Sequence, residues 1–172
     1  MSAIDHSKKR NFVAKLYENG IIWVEVVQIM FYGSKVHCID DKGRLTLSSI
    51  YRDGFTSQKC YACYGLDHCL ELYPEETYIK KVSTITSLND FDENARKVKR
   101  TFLSNTFLLT IDSHNRILLP KTLLEKTELA KNVIVIGMYD HLEMWDEEKY
   151  TEIEKKNLDD FAKNAKEVIS CE

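Results

Sequence analysis

Apolar residues come in short bursts along this chain, and their spacing separates strands from helices. Runs of alternating or dense apolar residues predict strands at Val36–Ile39, Arg44–Leu47, Lys59–Tyr64 and Cys69–Tyr73, and again at Asn132–Gly137 and Leu142–Trp145. Asp40-Asp41-Lys42-Gly43 lies between the first two. It reads as a tight hairpin turn, since Gly accepts the positive φ such turns need. Helical spacing takes over after the later strands. Pro74 suits a first helical turn, and Glu75 and Glu76 favour the positive end of the helix dipole. Asp146 is a good N-cap for a helix beginning Glu147-Glu148. Tyr150, Ile153, Asn157, Phe161, Ala165 and Val168 then predict one long C-terminal helix with a partly apolar stripe. Asp90 precedes a connecting helical segment in which Ala95, Val98 and Phe102 are expected to face the core, with Arg96, Lys97, Lys99 and Arg100 on the other faces. Short strands with helical decoration define an α+β protein.

The pattern occurs twice. With an offset of 72 residues and no gap, Ile39-Asp40, Arg44 and Leu47 recur as Ile111-Asp112, Arg116 and Leu119. Lys59, Gly65 and Leu70-Glu71 recur as Lys131, Gly137 and Leu142-Glu143, and Glu75-Glu76 and Tyr78 as Glu147-Glu148 and Tyr150. That makes 11 identities in 40 positions, where ordinary residue frequencies give roughly two to four. Each unit reads as strand, turn, strand, short helix, strand pair and helix. Asn115 replaces Gly43 in the second turn. Asn is the non-Gly residue that best tolerates a left-handed backbone, so both copies are expected to share one turn.

Composition narrows the class. The 172 residues are 44% hydrophobic and 30% charged with six Gly and two Pro, which excludes disordered and collagen-like chains. The densest apolar run, Ile21 to Ile29, is interrupted by Glu25 and is far shorter than the roughly 20 residues of a bilayer span. No membrane partner is expected, and the run does not resemble a signal peptide. Five Cys at irregular spacings match no disulfide framework, which points to a reducing cytoplasmic compartment. The net charge of −3 is unevenly spread. Residues 1–29 and 74–110 each sum to +1, residues 30–73 to zero, residues 111–150 to −3 and residues 151–172 to −2. A polyanion would therefore approach the N-terminal half more easily.

Chemistry concentrates in the two Asp-x-x-x-Arg turns. A carboxylate four residues from a guanidinium across a tight turn can hold it in place, and a pre-ordered planar fork suits phosphate or guanine. Lys42 adds a point charge at the tip. The alternative is a plain intrachain brace, although an exposed pair contributes only ~0–1 kcal/mol. The first turn reads better as DNA-facing and the second, in its acidic setting, as a brace. Cys60-x-x-Cys63, with His68 and Cys69 near it, invites a zinc reading. In a strand, however, an odd separation sends two side chains to opposite faces. In the gapless repeat their counterparts are Asn132 and Val135, so no metal and no cofactor are expected. No P-loop, G-x-G-x-x-G, G-x-S-x-G or H-E-x-x-H is present, and no catalytic residue is assigned.

From Met30-Phe31-Tyr32-Gly33 to about Tyr150, the chain resembles the MraZ family of bacterial transcription regulators. The paired turns carry the likeness, together with Ile39-Asp40-Asp41-Lys42-Gly43-Arg44-Leu45, Ile117-Leu118-Leu119-Pro120, Arg96-x-x-x-Arg100-x-Phe102-x-Ser104 and Leu142-Glu143-Met144-Trp145. The resemblance implies two tandem swapped-hairpin, AbrB-like β-barrel units with flanking helices. It further implies a ring-shaped homo-oligomer that binds short repeats of double-stranded promoter DNA upstream of its own operon, in the division and cell-wall gene cluster, at the nucleoid. The residues it offers to DNA are Lys35, Lys42, Arg44, Arg52, Arg116 and Lys121, with Asp40, Gly43, Asp112 and Asn115 organising the turns. Three positions depart from the family pattern: Ser48 stands for a usual Pro, Ile50 for a basic residue and Tyr32 for Arg. Each lost cation removes one possible phosphate contact. The expected units are 30–76 and 104–148, joined by a helical segment at 77–103 and followed by a helix at 149–172. Residues 1–29 form an extension read as an upstream stretch of reading frame, because Glu25-Val26 can be encoded by a ribosome-binding-site-like sequence before Met30. A ring-forming scaffold without specific DNA binding is the rival reading.

Overall fold

The structure, a computed structural model, describes the backbone of residues 8–17 and 20–29 and the whole of residues 30–169. Cys171, one of the five cysteines, lies outside the described residues. Strands β1 (Lys8–Tyr17) and β2 (Gly20–Ile29) form a two-stranded antiparallel sheet of their own. The apolar run that begins at Ile21 is therefore strand, and no described helix is long and apolar enough to cross a membrane.

The duplicated region forms a six-stranded antiparallel sheet. The first repeat supplies β3 (Ser34–Cys38), β5 (Lys59–Tyr64) and β6 (Leu70–Pro74). The second supplies β7 (Thr106–Thr110), β9 (Asn132–Gly137) and β10 (Leu142–Asp146). Their order is β3-β9-β10-β6-β5-β7. Exchanging the repeats reverses this order onto itself, so a pseudo-two-fold axis passes between β6 and β10. Neither repeat is complete alone, because β3 pairs with β9 of the other unit and β7 with β5. The remaining strands, β4 (Arg44–Thr46) and β8 (Arg116–Leu118), pair with each other as a two-stranded ribbon. The hairpins are thus swapped. β3 and β4 meet only through the Ile39–Leu45 bridge beside their turn, and the ladder expected within the unit runs between units.

Strand alternation explains the two layers. Cys60 and Ala62 in β5, Leu70 and Leu72 in β6, Val133 and Val135 in β9, and Leu142 and Met144 in β10 point to one face. There they meet Leu45, Ile117, Leu47 and Leu119 beneath the ribbon, together with Tyr51 of α1 (Ser49–Arg52) and Leu123 of α4 (Lys121–Thr127). Tyr61, Cys63 and Tyr73 point to the other face, which Tyr78 and Val82 of α2 (Glu75–Thr86) and Phe102 of α3 (Glu93–Ser104) cover. Tyr61 and Tyr78 stack there at 3.9 Å between ring centroids. Cys60 and Cys63 do lie on opposite faces, and both are fully buried.

Several sequence expectations need correction. His37 pairs with Val133, while Leu109, 72 residues after His37, pairs with Cys60. Cys60 therefore corresponds to Val133 rather than Asn132, and Cys63 to Ile136 rather than Val135. The second repeat has one extra residue before β9 and one fewer in the turn before β10, so the register shifts by one through this strand and returns to 72 at Leu70 and Leu142. A comparison of letters misses such a pair of compensating changes. Pro74 closes β6 and precedes α2 instead of occupying its first turn. α3 starts at Glu93, capped by Asp92, whose carboxylate accepts the Asn94 and Ala95 amides. Val98 points outward, 42% exposed, while Phe102 packs inward. The C-terminal helix α5 (Glu147–Ile169) has Asp146 at its start, accepting the Lys149 amide at 3.3 Å. Its apolar stripe is half-buried at Tyr150 and Ile153, but Phe161 and Val168 are exposed.

Candidate functional site: an arginine-bearing ribbon

Both turns have the same construction. Asp40 Oδ1 accepts the Lys42 and Arg44 amides, each at 2.9 Å, and its Oδ2 accepts Arg44 Nε at 2.8 Å and Nη2 at 2.7 Å. Asp112 does the same, taking the His114 amide at 2.8 Å, the Arg116 amide at 2.9 Å, and Arg116 Nε and Nη2 at 2.8 and 2.7 Å. Gly43 has φ of 77° and Asn115 φ of 58°, so the left-handed position falls where the sequence places it. The hydrogen bonds from Arg44 and Arg116 hold each Asp carboxyl well below the usual carboxylate range, at about 2. Each acid therefore remains ionised in any ordinary buffer.

The clamp leaves the arginines available. A guanidinium has five N–H groups and the aspartate takes two, so it leaves three unengaged. Each Arg side chain keeps 32% of its surface exposed. Geometry and guanidinium exposure are nearly the same in the two turns.

The ribbon brings the two guanidiniums together. Leu45 and Ile117 pair across it and face the core with no exposed surface. Arg44, Thr46, Arg116 and Leu118 therefore share the opposite, solvent face. Arg44 opposes Leu118 and Arg116 opposes Thr46, so the arginines are diagonal neighbours, roughly 7–8 Å apart at the backbone. The ends of the ribbon are pinned by Leu47 N–H to Asn115 C=O and Leu119 N–H to Gly43 C=O, both at 2.9 Å. No sequence pattern announced this juxtaposition, because it depends on pairing between residues of different repeats.

The other predicted residues distribute around the ribbon. Lys42 at the first tip and Lys121 at the start of α4 border a groove of about 420 Å³, which Lys131 also lines. Lys131 was not singled out as a site residue. Its apparent match to Lys59 is an accident of the gapless alignment, since the ladders make Lys131 and Gln58 the equivalent positions. Lys121 is 89% exposed and lies 3.8 Å from Glu125. Lys35 is exposed on the edge strand β3, and Arg52 ends α1 with its Nε 3.6 Å from Asp53. Neither belongs to the ribbon itself. Tyr32 and Ile50 are both 59% exposed.

Fold and site together define an internally duplicated swapped-hairpin protein of α+β class, with two pre-ordered arginines on one ribbon face. The sequence pattern of the MraZ protein family matches it twice in tandem, at residues 30–101 and 102–170. The transcriptional regulator MraZ of Mesoplasma florum is 34% identical over 131 residues, covering 76% of this chain and 90% of the relative. That of Mycoplasmoides gallisepticum is 36% identical over 132 residues, covering 77% and 92%, and that of Dictyoglomus thermophilum 33% over 141 residues, covering 82% and 94%. The chain belongs to the MraZ family. Each tandem match takes in the helix or helices after its strand pair.

Proposed function

We propose that this protein is a sequence-specific DNA-binding transcriptional regulator that acts without catalysis. The observation that carries this reading is the ribbon, a two-stranded element with Arg44 and Arg116 aimed outward from one face. The major groove of B-DNA, about 12 Å wide, admits a two-stranded ribbon, and Arg donates two hydrogen bonds to guanine O6 and N7. Asp40 and Asp112 have already removed much of the rotamer freedom that each arginine would otherwise lose on binding. Lys42, Lys121 and Lys131 flank the ribbon as phosphate contacts, and Lys35 and Arg52 extend the basic surface.

One chain offers few cations, so the working form in this proposal is a ring homo-oligomer reading short repeats upstream of its own operon in the division and cell-wall cluster. Repetition multiplies weak contacts into avidity. Exposed Leu158, Phe161, Val168 and Ile169 on α5 supply apolar surface for self-association. The same stripe is what favours the second reading, a ring-forming scaffold. The regulator reading places the protein in the cytoplasm at the nucleoid.

Fluorescence anisotropy with duplex DNA from upstream of the chain's own gene tests the proposal. A bidentate arginine–guanine contact contributes about 1–3 kcal/mol, so Arg44→Ala and Arg116→Ala should each weaken binding by roughly 5- to 150-fold. Lys121→Ala should instead flatten the salt dependence by about 0.9 per lost phosphate contact with little change in sequence preference. Wild-type protein that binds no DNA at low salt, or an Arg44→Ala, Arg116→Ala double variant that binds like wild type, refutes the reading in favour of the scaffold.

A further inference from the structure

At the pseudo-two-fold axis, where β6 meets β10, Glu71 and Glu143 stand directly opposite each other. They are the same position of the two repeats, on the sheet face turned away from the main core. Like charges directly opposed on a sheet destabilise it, and these two are sheltered from water. Glu71 is 8% exposed and accepts the Tyr73 hydroxyl at 2.7 Å, while the Glu143 side chain is 15% exposed and accepts the Trp145 indole N–H at 2.9 Å. Both of those donors are neutral.

A third group completes the cluster. The thiol of Cys69, 1% exposed, makes no hydrogen bond to another of the described residues, and its Sγ and one oxygen from each carboxylate lie within 4.8 Å of one another. His141 holds the place of Cys69 in the second repeat. Its Nε2 is 4.0 Å from Glu143 Oε1 and its Nδ1 is bonded to Asp140 at 2.7 Å. A carboxylate on one ring nitrogen is the usual way a metal-facing histidine is oriented. Each repeat thus brings one glutamate and one softer donor to the axis.

We propose that Cys69, Glu71 and Glu143, with His141 beside them, form a zinc site that joins the two repeats. A mixed set of thiolate, carboxylate and imidazole suits Zn²⁺ better than the hard cations, which prefer oxygen alone. Bond lengths of about 2.0–2.3 Å imply donor separations of roughly 3.4–3.6 Å in a tetrahedral site, so the side chains need to close in by no more than about 1.4 Å on binding. The cluster has approaches from both sides. Glu143 lines a groove with Asp67, His68 and Met138, and Glu71 lines another with Gly65 and Lys81. As the Sγ–Zn bond forms, the Cys69 proton leaves to solvent and the two carboxylate charges are neutralised by the dication. Cys60 takes no part, because it points to the opposite face of the sheet. Cys63 shares the face of Glu71, its ladder partner, but its Sγ accepts the Thr106 hydroxyl at 3.5 Å and lies outside the cluster.

The test uses the full chain, stripped with a chelator and reloaded with Zn²⁺ or Co²⁺. One zinc per chain after desalting, a thiolate-to-cobalt charge-transfer band and a higher Tm with zinc are expected. Cys69→Ser and Glu143→Gln should lower affinity by about tenfold or more, with Cys38→Ser, an exposed thiol elsewhere, unchanged. Wild-type protein with no charge-transfer band overturns the proposal whether or not the variants fold. So does a Cys69→Ser variant that retains wild-type zinc content.

Discussion

Truncating Ile117 to Ala tests the interlocked fold on which the arginine ribbon depends. Ile117 has no exposed surface and faces Leu45 across the ribbon, at the centre of the core that both repeats share. Ile→Ala substitutions in cores cost about 2–5 kcal/mol, and the value rises with the cavity that persists. Here the ribbon cannot sink to fill the gap, because Leu47–Asn115 and Leu119–Gly43 hydrogen bonds hold it at both ends. The upper part of the range is expected, about 3–5 kcal/mol. For a chain of this size each kcal/mol shifts Tm by roughly 2–4 °C, which gives a fall of about 6–20 °C. The repeats exchange strands, so the loss should be global. Urea titration followed by pulsed hydrogen exchange should show the amides of β5, in the first repeat, and of β9, in the second, becoming unprotected in one transition. If β9 and β10 open at a lower urea concentration while β5 and β6 stay protected, the repeats are independent and the shared-core reasoning fails. A Tm change under about 2 °C would refute the cavity argument.

Three further outcomes are expected. The carboxyls of Asp40 and Asp112, depressed to about 2, contribute stability that is complete above the unfolded-state value and is lost as pH falls through about 2; carboxyl-carbon NMR titration should find both midpoints near 2, and a midpoint near 4 would mean that the clamps are open in solution. Ser48→Pro should raise stability by about 0.4–1 kcal/mol in thermal melts, because Ser48 already has φ of −68°, its buried hydroxyl has no partner, and Pro120 holds the equivalent place; a lower Tm would count against this. Burial pushes the Cys60 and Cys63 thiols up to about 12, so peptide mapping after alkylation at pH 8 should find them intact while exposed Cys38 reacts, and rapid labelling of Cys60 would contradict the packed core.

The local devices were legible in the letters because each is made by residues close in sequence. Asp40 reaches Arg44 across four positions, and Gly43 and Asn115 supply a backbone conformation that few residues accept. Alternation along β5 was enough to separate Cys60 from Cys63. The errors came where contacts between distant segments decide. Val98 sits at a helical interval that suggests burial, but which face of α3 is covered depends on what packs there. Nothing along the chain shows that the second repeat gains one residue before β9 and loses one after it, since only ladder hydrogen bonds reveal that register.

By itself the sequence determined that the protein is duplicated, that it is α+β, and that each copy carries a clamped arginine at a left-handed turn. These follow from short-range sterics, propensity and charge. The swapped hairpins that the resemblance implied are present. The tertiary structure alone decided which strands pair across the repeats, that Arg44 and Arg116 share one ribbon face, and that Glu71 and Glu143 confront each other beside Cys69 on the pseudo-two-fold axis. A single repeat cannot satisfy its strand edges or cover its apolar faces, and burying them with the other copy sets which distant residues meet.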